Sequence, residues 1–168
     1  MLPGDSAPDF SDPLGLLRAC HQRILGFCEL LERMREHQDN NGDHQQLAEA
    51  AAQVLRYFDI AAPLHHQDEE QNLFPALTGH SQVGALIAQL QAEHQEHDAL
   101  WLQLRDTLET LREGRPADLQ EAPVDSFNKA MRSHVERENQ QVLPLAETTL
   151  TPDQLAAMGQ AMAARRRP

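Results

Sequence analysis

Residues 65–75 read His-His-Gln-Asp-Glu-Glu-Gln-Asn-Leu-Phe-Pro, and this stretch decides how the chain is read. Residues 134–144 read His-Val-Glu-Arg-Glu-Asn-Gln-Gln-Val-Leu-Pro and repeat its plan 69 positions later. In both, a histidine is followed four residues on by a glutamate: His65 with Glu69, and His134 with Glu138. In both, a proline stands six residues after that glutamate, Pro75 and Pro144. A spacing of four places two side chains on one face of a helix, one above the other.

Working outward, each segment continues an apolar stripe of helical period. Leu47, Ala51, Val54, Phe58, Ala61, His65 and Glu69 run on towards Leu73 and Phe74, which predicts a helix over about 44–77. Pro63 lies inside it and predicts a kink or break near 59–62. Val124, Phe127, Met131, His134, Glu138 and Leu145 predict a helix over about 124–147. Leu14, Leu17, His21, Ile24, Cys28 and Leu31 predict one over about 13–38, opened by Asp12-Pro13. Val83, Ile87, Leu90, His94, His97, Trp101, Leu104, Leu108 and Leu111 predict one over about 81–113. Leu17 and His21 match Leu90 and His94 at an offset of 73, so the helix pair itself reads as duplicated. No strand pattern appears. The expectation is an all-α, up-down-up-down four-helix bundle over 13–148 with an internal helix-pair duplication. Residues 1–12 read as a flexible arm, and 149–168 as a short C-terminal helix with a basic, solvated Arg-Arg-Arg tail.

Composition narrows the function. The net charge of −12 argues against nucleic acid and against an anionic membrane as partner. No apolar run is long enough to span a bilayer. Two cysteines, eight residues apart on one predicted helix, cannot form a disulfide framework. With no secretory signal visible, a reduced, cytoplasmic protein is expected.

Nine histidines are the unusual feature, and each of the four stripes carries at least one at a core position. Ionisable groups in a core are costly unless they are paired or hold metal. Four imidazoles and two carboxylates converging in a bundle suit a binuclear site for iron, manganese or zinc. The candidate ligands are His21, His65, Glu69, His94, His134 and Glu138. His66 and Glu70 have the same spacing and compete with His65 and Glu69, but the stripe phase and the distance to proline favour the latter pair. His97 reads as a fifth histidine ligand, a hydrogen-bond partner of a ligand, or a packed residue. Asp98 reads as a hydrogen-bonding carboxylate or a surface residue. His37, His44 and His80 fall at helix ends or turns and read as solvated.

These motifs resemble the hemerythrin-like family, also called HHE cation-binding domains. The resemblance spans 13–147 and rests on LRACH ending at His21, HHQDEEQNLFP at 65–75, LQAEH ending at His94 and HVERENQQVLP at 134–144. It implies a four-helix bundle around a non-heme di-iron centre, with an oxo or hydroxo bridge as an option, and with Glu69 and Glu138 as bridges. Oxygen-carrying members place a second histidine four residues after the first on the third helix. Asp98 occupies that place here, and His97 stands one residue early. The set of four histidines and two glutamates is more similar to iron-cluster repair proteins that respond to nitric oxide. Those carry a further cysteine-containing domain absent from these 168 residues.

The leading expectation is therefore a binding protein for O2, NO or a peroxide, as sensor, scavenger or store. An enzyme or repair factor that reduces NO or peroxide, working with a reductase, is the second reading. A zinc-stabilised interaction module is the third.

Overall fold

The computed structural model describes residues 8–168, and all regular structure among them is helical. The arm expected over 1–12 lies outside the described residues for 1–7. Helix α1 is Pro13–Asp39, capped by the Asp12 carboxylate, which accepts from the Gly15 amide at 3.0 Å. Helix α2 covers residues 44–77, α3 is Gly84–Arg112, α4 covers residues 121–149, and α5 is Pro152–Arg165. Thr151 and Gln154 close α5 with a reciprocal capping box.

Two of these helices run through proline without stopping. In α2, π-helical turns occupy Tyr57–Ala61 and Glu69–Leu73; in α4, one occupies Glu138–Val142. Each ends two residues before a proline: Pro63, Pro75 or Pro144. The amides of Ala62, Phe74 and Leu143 reach back five residues, to the carbonyls of Tyr57, Glu69 and Glu138. A proline has no N–H, and its ring crowds the carbonyl four residues earlier. Widening the preceding turn by one residue relieves that conflict. The break expected near 59–62 is thus a π turn, and Pro75 and Pro144 end neither helix. The first π turn is tied to α3 by Asp59, which accepts from the Trp101 indole at 2.9 Å and pairs with Arg105.

Helix α1 packs on α2 and α4, and α3 packs on α2 and α4. The core divides into two apolar layers. One holds Leu14 and Leu17 of α1, Leu73, Phe74 and Leu77 of α2, Ile87 and Leu90 of α3, and Leu143 and Ala146 of α4. The other holds Ile24 to Met34 of α1, Leu47 to Ala62 of α2, Trp101 to Leu111 of α3, and Val124 to Val135 of α4. Successive helices therefore meet the layers in opposite order. Between the layers lie His21, His65, Glu69, His94, His134 and Glu138, all buried. Burying each large aliphatic side chain contributes about 1.5–3 kcal/mol, which offsets the cost of a polar layer at mid-height.

Helix α5 covers one end. Met158 and Met162 join the first layer, and Arg165 and Arg166 both pair with Asp68, which is fully buried beside Glu69. The basic tail is thus not simply solvated. Arg166 also lies over the Phe10 ring, and Gly159 allows close approach of the Phe10 carbonyl, which a Cβ would strike.

Candidate metal centre

Two donor clusters share two glutamates. His21, His65, Glu69 and Glu138 offer donor atoms that all lie within 4.8 Å of one another, and so do Glu69, His94, His134 and Glu138. None of the six is more than 3% exposed. Glu69 turns Oε1 towards His65 Nε2 at 2.9 Å and His21 Nε2 at 3.4 Å, and Oε2 towards His94 Nε2 at 3.1 Å. Glu138 turns Oε2 towards His21 Nε2 at 2.9 Å and Oε1 towards His134 Nε2 at 3.1 Å.

The heights of His21 and His65 differ by about five residues, or roughly 7 Å of rise, when counted from a turn at Asn40. Their rings nonetheless meet, with centroids 5.0 Å apart. The turn lies later, between Asp39 and His44, with Asn41 at a positive φ of 52°, and the π turn at Tyr57–Ala61 absorbs a further residue.

The donor set fits metal ions better than hydrogen bonds. Glu69 Oε2 and both oxygens of Glu138 are buried without a hydrogen-bond partner, despite imidazole nitrogens at 2.9–3.1 Å. Buried carboxylate oxygens are rarely left so. Two donors each about 2.1 Å from one ion and at right angles stand about 3.0 Å apart, which is the spacing seen.

The electrostatics agree. Burial alone would lower His21, but Glu138 and Glu69 outweigh it and push its pKa up to about 9. His65 and His94 are likewise raised against burial, chiefly by Glu69. Burial would raise Glu69, yet His65, His21 and His94 hold it well below the usual carboxylate range. The pocket is built to hold positive charge between its carboxylates.

The outward-facing imidazole nitrogens are mostly fixed. His21 Nδ1–H donates to Asn139 Oδ1 at 2.6 Å, His94 Nδ1–H to Glu70 Oε1 at 2.6 Å, and His134 Nδ1–H to Glu93 Oε2 at 2.8 Å. Glu93 is itself held by Arg137, and its pKa falls to about 2 as the bonds from Arg137 and His134 overcome burial. Such bonds leave Nε2 free to face the centre. His65 Nδ1 is buried without such an acceptor.

The candidates set beside the six take other places. Glu70 holds His94 from outside, and His66 stacks on the His94 ring at 3.9 Å and 10°. His97 is buried but belongs to neither cluster; it packs edge-on against His134 at 4.7 Å. Asp98 is exposed. His44 is exposed, and His37 and His80 are partly so. Sequence reading missed Asn139, Glu70 and Glu93 as supports. Each directly neighbours a candidate ligand in the chain, which is the one signal that marked them.

Comparison with known proteins agrees with this geometry. A family model described as the hemerythrin HHE cation binding domain matches residues 12–146. The chain is also 30% identical over 158 residues to an uncharacterized protein of Haemophilus influenzae, covering 94% of this chain and 91% of that one.

Proposed function

Because the chain belongs to the hemerythrin HHE cation-binding domain family, we propose that it is a non-heme di-iron protein that binds O2, NO or a peroxide. His21 and His65 would hold one ion, His94 and His134 the other, and Glu69 and Glu138 would bridge them. The observation that carries this reading is the sharing of both glutamates between the two donor clusters. Iron, when bound, supplies the redox change and the ligand affinity. The chain's own residues hold the ions at a fixed separation, orient the imidazoles through Asn139, Glu70 and Glu93, and exclude bulk water with the two apolar layers. Zinc and manganese suit the same donors, so the choice of iron rests on the family.

The bundle is proposed as up-down-up-down over 13–148, with 149–168 as an appended helix. The opposite order in which successive helices meet the two layers supports it. A reduced, cytoplasmic setting accords with two free thiols, Cys20 and Cys28. No helix among the described residues is long and apolar enough to cross a membrane.

Metal quantification with absorption spectra of the air-exposed and reduced protein tests the reading. Two irons per chain, with oxo-to-iron bands that bleach on reduction, are expected. A redox-silent zinc protein would overturn it.

A further inference from the structure

The two imidazole pairs are supported on one plan, but the supports differ in charge. The residue after each shared glutamate holds a histidine of the facing helix. Glu70 accepts from His94 Nδ1–H at 2.6 Å, and Asn139, its counterpart at the offset of 69, accepts from His21 Nδ1–H at 2.6 Å. The residue before each of those histidines serves the other member of the pair. Glu93 accepts from His134 Nδ1–H at 2.8 Å, and Cys20, its counterpart at the offset of 73, sets its thiol beside His65. A thiol sulfur is a weak acceptor, and His65 Nδ1 is left buried without a hydrogen bond. Two carboxylates thus back His94 and His134, where an amide and a thiol back His21 and His65.

A carboxylate that accepts an imidazole N–H makes the ring a stronger metal donor. Such charge-assisted bonds are about twice as strong as neutral ones. Glu93 shares its charge with Arg137, while Glu70 pairs with His94 alone among the described residues. One negative charge is therefore left over behind the His94–His134 pair. At the other end, Arg165 and Arg166 share the single carboxylate of Asp68, three residues after His65, and one positive charge is left over. Glu69 and Glu138 belong to both donor clusters and favour neither, so the outer groups decide between them.

We infer that the two metal positions are unequal. The His94–His134 position fills first and holds its ion more tightly, with Glu70 and Glu93 as the positioning residues that set the order. The His21–His65 position fills second and exchanges more readily. This rests on the metal reading above and deepens it, and it holds for any divalent ion the donors accept.

Zinc alone serves as the probe. Metal-free protein carrying nitrogen-labelled histidine is titrated with zinc, and the assigned ring signals are followed by NMR. The first equivalent should shift His94 and His134, and only the second should shift His21 and His65. Chelator competition should resolve two steps at least about tenfold apart. Glu70→Gln combined with Glu93→Gln should weaken the first step about tenfold or more, and Asn139→Asp should tighten the second by a similar factor, with helical content unchanged in both. His21 and His65 shifting first, or all four rings shifting together, in the unmodified protein would overturn the inference even if a variant fails to fold. Unaltered steps in both folded variants would overturn the roles of Glu70 and Glu93. Two ions bound without order would leave the metal reading standing, whereas failure to bind any zinc or iron would overturn that reading itself.

Discussion

Glu69 and Glu138 occupy equivalent places on two different helices: each opens a π-helical turn that ends two residues before a proline, and each directs its two carboxylate oxygens at opposite imidazole pairs. The wider turn is a consequence of the proline. Metal bridging in this account thus shares its position with a backbone irregularity that recurs in both halves of the chain.

Removing a bridge should cost more metal than removing a terminal ligand. Glu69→Ala and Glu138→Ala are each expected to lose both ions. His65→Ala and His134→Ala should lose at least one, and His44→Ala, at an exposed helix start, none. Metal analysis of the folded variants checks this. Loss of a single ion from Glu69→Ala would make that residue a terminal ligand.

Metal affinity and metal-free stability should change in opposite directions with pH. His21 is raised to about 9, and His65 and His94 are also raised, so the metal-free protein holds protons that an ion must displace. Apparent affinity should rise with pH from about 6.5, the ordinary histidine value, up to about 9, where His21 is held. A raised histidine stabilises the fold fully below its unfolded pKa and loses that contribution as pH rises through the folded value. The metal-free protein should therefore lose stability over the same window. Denaturant titrations and metal-competition assays at several pH values read both trends. Flat metal-free stability would contradict the charge assignment.

The outer hydrogen bonds should matter without being ligands. Asn139→Ala and Glu93→Gln are expected to weaken metal binding by about 10–100-fold while leaving the helical content unchanged. Circular dichroism and a chelator competition separate these effects. Unaltered affinity would reduce both residues to surface roles.

Much of the centre was legible from period alone. Six ionisable residues stayed in phase with apolar stripes on four predicted helices, and the equal distances from Glu69 to Pro75 and from Glu138 to Pro144 marked the repeat. The π turns were not legible, because a proline within a stripe reads equally as a kink, a stop or a widened turn. Glu70, Glu93 and Asn139 each sit one residue from a candidate ligand, about 100° round the helix, and so look like surface residues. His97 shared the stripe of His94, but only the packing of its ring against His134 separates a packed residue from a ligand. The pairing of Asp68 with Arg165 and Arg166 spans some 97 residues and has no local signature.

That pairing carries its own prediction. Replacing both Arg165 and Arg166 with Ala leaves the Asp68 carboxylate buried and unpaired, which costs about 3–5 kcal/mol. At about 2–4 °C per kcal/mol for a domain of this size, the melting temperature should drop clearly. An unchanged melting temperature would show that α5 contributes only apolar cover.

X-ray absorption at the iron edge of the loaded protein tests the central claim most directly. The account predicts nitrogen and oxygen donors around each iron and a second iron within about 4 Å. Donors without any iron–iron scattering, at one iron per chain, would contradict it.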